Sequence, residues 1–350
     1  MVGFPLTRQQ RDTPQGLELR YWLVGDSGAH EVQISNSEAI FFVRQQDQQA
    51  VTRSLEDLSG WQLKPLELLS LKGDPIAGLY CSSLAIYREA IERLQANSIA
   101  VMEEDIRPTD RYLMERFIRT GATVVQTHQG IELRPVDYTP QLKLLSLDIE
   151  TTLTTNKILS IAMQMGDQQI VLLNSQQAEA PWIECFGTEK AMLQRFVELV
   201  QLWDPDIFIG WAVIGFDLRV LLRRAKDLGV RLKLGRDQET LFVEQGQAGR
   251  WFARIGGRIV LDGIETLKAA SWHFERYGLE YVARELLGRG KKIDHPEDRG
   301  EEIQRLYREE PLALCQYNLE DCRLVTDIFA KAGLLEYLIE RARLTGLALD

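Results

Sequence analysis

The chain has 350 residues, enough for two domains with cores of their own, and its 45% hydrophobic and 26% charged content is that of an ordinary globular protein. No apolar run approaches the ~20 residues that a bilayer-spanning helix needs, and the opening stretch from Met1 to Arg8 lacks a signal-peptide core. The net charge of −10 excludes a uniformly basic surface of the kind that grips nucleic acid through phosphate contacts.

Residues 1–140 read as short strands, among them 17–24 and 39–43, mixed with helices at 84–96 and 109–118. Pro135, Pro140 and the polar stretch between them mark a boundary. The expected organisation is therefore a smaller α+β domain over 1–140 and a second domain over 141–350. The second domain reads as strand 144–149, strand 158–165, strand 168–174, helix 188–202, strand 206–213 and helix 217–228. Three strands in close succession imply antiparallel pairing, and the alternation that follows implies α/β crossovers. Segments 251–255 and 258–261 around Gly256-Gly257 predict a hairpin, since two glycines suit a tight primed turn. Helices follow at 279–287, 301–309, 311–331 and about 334–343. Gly288-Arg289-Gly290-Lys291-Lys292 is not a phosphate-binding loop, because Glu285 stands where the leading glycine is required.

The chemistry concentrates in three places. In Leu144–Glu150 the alternation of a strand puts Leu145, Leu147 and Ile149 on one face and Asp148 and Glu150 on the other, close enough to share a cation. Solvated acids at a strand end are the ordinary alternative, and Asp-x-Glu alone favours it. In the predicted helix 311–331, Leu314, Tyr317, Asp321, Val325 and Ile328 fall on one stripe. Asp321 is thus a carboxylate amid apolar and aromatic neighbours, costly to bury unless a cation or hydrogen bonds compensate it. An arginine-paired structural aspartate explains that position about as well. Asp217 follows the apolar run from Ile207 to Phe216, at a strand-to-helix junction where open α/β sheets place ligand groups, although a helix cap is the common reason for an acid there.

Taken together, Asp-x-Glu on a first strand, Phe216-Asp217 opening a helix and Tyr317-x-x-x-Asp321 on a later helix resemble the DEDD-type 3′–5′ exonucleases. Gln316 stands where their histidine variant carries its histidine, so the tyrosine variant is indicated. The resemblance extends to the family B DNA polymerases, through Ser146-Leu147-Asp148-Ile149-Glu150-Thr151-Thr152, Asp204-Pro205-Asp206, Leu234-Gly235-Arg236-Asp237, Leu261-Asp262-Gly263-Ile264-Glu265 and Tyr317-Asn318-Leu319-Glu320-Asp321-Cys322. The opening, with Leu6-Thr7-Arg8, Arg11–Gly16 and Arg107–Phe117, is similar to the bacterial polymerase II branch of that family.

That resemblance implies an RNase H-like α/β domain with a mixed sheet over 141–350, preceded by the N-terminal domain of a family B polymerase. It implies a two-ion site for Mg²⁺ or Mn²⁺ held by Asp148, Glu150, Asp217 and Asp321, with Tyr317 orienting the attacking water. All-oxygen donors suit those ions and leave nothing soft for zinc. Clustered carboxylates repel, so at least one pKa in the group is expected to rise without metal. The implied partners are the single-stranded 3′ end of DNA and the palm, fingers and thumb domains of a longer parent chain. No Asp-x-x-Ser-Leu-Tyr-Pro-Ser or Tyr-Gly-Asp-Thr-Asp polymerase motif occurs here.

One departure concerns residue 212. Family B exonucleases usually carry asparagine five residues before the second-motif aspartate, and here Ala212 stands there. A structural or DNA-binding module with weak turnover is therefore the competing expectation; an RNA-processing exonuclease of the same fold fits residues 1–140 poorly. Arg219, Arg223, Arg224, Lys226, Arg231, Lys233 and Arg236 face only Asp227 in their window, a candidate DNA flank or simply a solvated helix face. Cys81, Cys185, Cys315 and Cys322 include no C-x-x-C pair and predict reduced thiols in a cytoplasmic protein. His30, His128, His273 and His295 have no metal-ligand spacing.

Overall fold

The computed structural model describes residues 1–128, 130–246, 249–289 and 299–350. His295 and the Gly290-Lys291-Lys292 part of the basic stretch lie outside the described residues. The chain forms two compact units, one of Met1–Pro140 with Ala342–Ala348 and one of Gln141–Arg341 with Leu349–Asp350.

The first unit contains β1 (Val2–Thr13), β2 (Gly16–Gly25), β3 (Gly28–Ser37), β4 (Ala39–Arg44), α1 (Gln48–Ser54), β5 (Trp61–Leu69), β6 (Pro75–Cys81), α2 (Leu84–Ala96), α3 (Pro108–Glu115), β7 (Gly121–Thr127) and β8 (Gly130–Val136). Its sheets run β3-β2-β1-β7-β8 and β4-β6-β5. The alternation Leu17, Leu19, Tyr21, Leu23 along β2 explains why this strand is central, since one face supplies four fully buried side chains to a shared core.

The second unit is built on one mixed sheet, ordered β12-β11-β10-β9-β13-β16. Its members are β9 (Leu144–Thr151), β10 (Ile158–Met165), β11 (Gln168–Leu173), β12 (Ile183–Cys185), β13 (Ile207–Gly210) and β16 (Ile259–Asp262). The first three pair antiparallel, and β13 joins β9 in parallel with β16 parallel beyond it. This is the RNase H-like arrangement expected. Helices cover both faces, so Ile158 to Met163 of β10 are all buried and read as a nearly unbroken apolar run. On one face α4 (Glu189–Trp203) and α5 (Arg219–Asp227) pack Phe196 and Leu221 against Leu145, Leu147 and Ile149. On the other, α8 (Arg299–Glu309) and α9 (Pro311–Lys331) pack Leu306, Leu314 and Leu319 against Leu159, Ala162 and Val171. The remaining helices are α6 (Gly263–Ala269), α7 (Leu279–Leu287) and α10 (Leu334–Thr345). No helix among the described residues is long and apolar enough to cross a membrane.

The hairpin expected across Gly256-Gly257 is not formed as such. A single bridge joins Ile255 and Arg258, while β15 (Trp251–Arg254) pairs with β14 (Phe242–Gln245) and residues 259–262 enter the main sheet beside β13. The burial patterns explain the difference. Ile259, Val260 and Leu261 are all buried and gain most from the sheet interior, whereas β15 alternates between half-buried and exposed, as an edge ribbon does.

Two of the sequence motifs turn out to be structural. Asp204 and Asp206 meet Arg236 and Arg258 at the start of β13. Asp204 Oδ1 accepts from Arg236 Nε and from Arg258 Nη1, both at 2.7 Å, and Asp206 Oδ1 accepts from Arg236 Nη2 at 2.7 Å. Asp206 Oδ2 also accepts from the Lys143 N–H at 2.8 Å, which ties the cluster to the entry of β9. Burial, then the nearby Arg236 charge, push the Arg258 guanidinium down to about 10. Burial alone would raise the Asp204 carboxyl, but Arg236 and Arg258 outweigh it and hold it below its ordinary value.

Removing Arg258 leaves excess buried negative charge, and Arg258→Met is expected to cost on the order of 3–5 kcal/mol in urea denaturation. Asp204 has a lowered folded pKa. Its contribution is present above the unfolded value of about 3.9 and is lost as pH falls through the lower folded one. Urea midpoints measured at neutral pH and below about pH 4 should therefore fall less in Asp204→Asn than in the parent chain.

Candidate active site

The site forms where β13 ends and β9 continues. Parallel pairing between them runs from Ile207 with Leu144 to Ile209 with Ser146, and β13 stops at Gly210. Past that point the second half of β9, with Asp148 and Glu150, has β10 on one side and, among the described residues, no strand on the other. This is the carboxyl end of parallel strands at a topological switch, where such sheets place ligand groups. Gly210 is needed here because a Cβ would lie 2.8 Å from the Leu147 carbonyl oxygen and 2.7 Å from Val213 Cβ.

Asp217 fills the gap. Its Oδ1 accepts the Ile149 N–H at 3.0 Å and so replaces the missing strand partner. The local backbone makes this possible: the expected helix start at Asp217 is instead a π-turn over Ile214–Leu218, closed by Leu218 N–H to Val213 O at 2.9 Å, with α5 beginning at Arg219. Asp217 therefore does not cap a helix; it holds the strand. Burial pushes its carboxyl well above the ordinary range, opposed by the Ile149 N–H and reinforced by the charges of Glu150 and Asp262. Asp217 thus shows the expected rise, with burial as the larger cause and repulsion the smaller.

The three remaining acids converge. Ligand oxygens of Asp148, Glu150 and Asp321 lie within 4.8 Å of one another, with Asp148 half-buried and the other two buried. Asp148 and Glu150 sit opposite Ala162 and Ser160 of β10, and Asp321 comes from α9, which packs across those strands. Tyr317 stands one turn before Asp321 on the same helix, half-buried. Three carboxylates this close carry repulsion that a divalent cation would offset, and a hard all-oxygen donor set fits such an ion.

Two contributors to the site carried no signal of their own in the sequence. Asn318 is fully buried, and its Nδ2 donates to Asp148 Oδ2 at 2.6 Å. Asparagine inside a helix is usually a surface residue or a compromise, so only its contact reveals it. Asp262, at the end of β16, caps α6 by accepting the Ile264 N–H at 3.1 Å. Its carboxyl is raised by burial. The neighbouring Cys322 thiol is pushed well up by burial and by the charges of Asp148 and Asp321, and it donates to Ala162 O at 3.4 Å. It is a protonated packing group.

The basic window after Asp217 is partly internal. Arg224 pairs with the buried Glu189 at 2.6 Å, and Arg236 belongs to the Asp204 cluster. Arg219 lies over the Trp251 ring at 4.9 Å, while Arg254 covers Phe242 at 4.8 Å and Arg250 covers Phe252 at 5.4 Å. The β14–β15 ribbon thus presents three aromatic rings, each with an arginine.

Ala212 adopts φ = 56°, in the left-handed region. That conformation costs an alanine roughly 1–2 kcal/mol, whereas asparagine tolerates it better. Ala212→Asn is accordingly expected to raise stability by about 0.5–1 kcal/mol, read as a shift in the urea midpoint. An unchanged midpoint would mean that the π-turn relaxes around the alanine.

The family model for the exonuclease domain of DNA polymerase family B matches residues 99–282. Models for the N-terminal and insertion domains of DNA polymerase II match residues 3–38 and 39–98. The DNA polymerase II of Escherichia coli (strain K12) is 40% identical over 362 residues, which cover 100% of this chain and 46% of that protein. A DNA polymerase of Thermococcus litoralis is 30% identical over 240 residues, covering 66% of this chain and 13% of its own. The solved family B DNA polymerase of the hyperthermophilic archaeon Pyrobaculum calidifontis superimposes with a TM-score of 0.79 at 22% identity, covering 100% of this chain and 48% of that one. The chain thus spans about half the length of its Escherichia coli relative.

Proposed function

The chain belongs to the family B DNA polymerases and carries their 3′–5′ exonuclease domain, and from that premise we propose that it removes 5′-mononucleotides from DNA 3′ ends as the proofreading part of a polymerase II-type enzyme. The observation that carries this reading is the convergence of Asp148, Glu150 and Asp321 oxygens within 4.8 Å. In it, residues 1–140 are the N-terminal region of such a polymerase, and residues 141–350 form the exonuclease domain.

Two Mg²⁺ or Mn²⁺ ions, when bound, would neutralise the carboxylates and stabilise charge on the attacking and leaving oxygens at phosphorus. Asp148, Glu150 and Asp321 would hold one ion, with Asp148 shared. Asp217, whose Oδ1 accepts the Ile149 N–H, would help hold the second. Tyr317, one helical turn before Asp321, would orient the attacking water. The Arg219–Trp251 pair, with Arg223 and Lys226 of α5, would flank the entering strand. Further grip on DNA would come from palm, fingers and thumb domains of a parent chain. Four unbridged cysteines accord with a cytoplasmic setting.

The test is a 5′-labelled single-stranded oligonucleotide incubated with the chain and Mg²⁺ or Mn²⁺. Stepwise shortening from the 3′ end is expected, abolished by EDTA and in Asp148→Ala. Tyr317→Phe should retain metal binding but lose about 10²-fold or more in rate, as for a group that positions or moves a proton. Ala212 favours a second reading, a DNA-binding module without useful turnover, because the family's asparagine side chain is absent beside the strand end. Metal binding without shortening in the parent chain, restored by Ala212→Asn, would select that reading.

A further inference from the structure

Asn318 occupies a position where an apolar residue would be expected. Its neighbours on the buried side of α9 are Leu314, Cys315, Leu319 and Cys322, and Asn318 itself is 0% exposed. A buried amide is costly unless both of its ends are bonded. Both are. Nδ2 donates to Asp148 Oδ2 at 2.6 Å, and Oδ1 accepts from the Ser160 hydroxyl at 2.8 Å. The direction is set by chemistry: a carboxylate only accepts, so the amide nitrogen must face Asp148 and the amide oxygen must face the hydroxyl. Ser160, also fully buried on β10, sits opposite Glu150 in register.

We propose that Asn318 is a positioning residue for the metal centre, fixing the plane in which the Asp148 carboxylate meets Glu150 and Asp321. It rests on the metal-dependent reading above. The amide and Asp321 are three residues apart on one helix, so α9 supplies one ligand and clamps another that comes from β9. Rotation or sliding of α9 would therefore move both carboxylates together, and the Ser160–Asn318–Asp148 chain resists it. Hydrogen-bonded partners of ligating carboxylates commonly carry this task, and losing one costs about 10–100-fold in metal affinity.

The experiment measures Mn²⁺ affinity of the 350-residue chain without DNA, from the free-ion signal in electron paramagnetic resonance. Asn318→Ala is expected to lose about 10–100-fold in affinity. Leu314→Ala, one turn earlier in the same helix and packed in the apolar cluster with Leu159 and Leu306, should lower the thermal midpoint in EDTA yet bind Mn²⁺ within about 3-fold of the parent, since the occupied site keeps its ligands and their partners. Parent-like affinity in Asn318→Ala, or an equal loss in Leu314→Ala, overturns the proposal. Should Asn318→Ala not fold, Ser160→Ala decides: a loss of about 3-fold or more supports it and unchanged affinity overturns it. A parent chain that binds no Mn²⁺ overturns the metal-dependent reading itself, an outcome distinct from binding that is insensitive to residue 318.

Discussion

The Ile149 N–H accepted by Asp217 is the contact on which the rest of the site depends. A four-residue β13 leaves one side of the second half of β9 without a strand neighbour, and an unpaired buried N–H there would cost roughly as much as a lost hydrogen bond. A carboxylate delivered by a π-turn satisfies it. That solution requires the backbone to leave β13 sharply at Gly210, to pass through a left-handed residue at 212 and to wind one residue wider than an α-helix. The charge brought in by Asp217 raises the cost of burying Glu150 nearby, so sheet pairing and acid clustering are two aspects of one constraint.

Much of this was legible in the sequence because two periodicities do the placing. Alternation along β9 put Asp148 and Glu150 on one face, and the 3.6-residue stripe along α9 put Tyr317 and Asp321 on another. Helices 84–96, 279–287 and 311–331 match α2, α7 and α9 residue for residue, since each has a clean start or stop signal such as Pro311 or Gly288. The helix expected at Asp217 was displaced because nothing in its residue types distinguishes a π-turn from a first α-turn.

What sequence could not give were contacts between distant elements. The Gly256-Gly257 turn was correct as a turn, but which strand each flank pairs with depends on competition between partners far along the chain. Arg236 looked like part of a DNA-facing cluster until Asp204 and Asp206 came to meet it. Asn318 had no visible role because its meaning lies in Asp148 and Ser160, which other strands contribute.

Those separations bear on when the site comes into being. Asp148 and Asn318 are 170 positions apart, whereas β9, β10 and β11 are joined by short links and can pair early. The entropy of closing so long a loop grows only slowly with its length, but it must be met before any contact of α9 rewards it. During synthesis the sheet can assemble while α9 is still absent, with Asp148 and Glu150 facing water. The third carboxylate then arrives last, on a helix already driven home by Leu314 and Leu319. The repulsion that Asp321 adds is thus confined to the closing step of folding, after the apolar surfaces able to oppose it are in place.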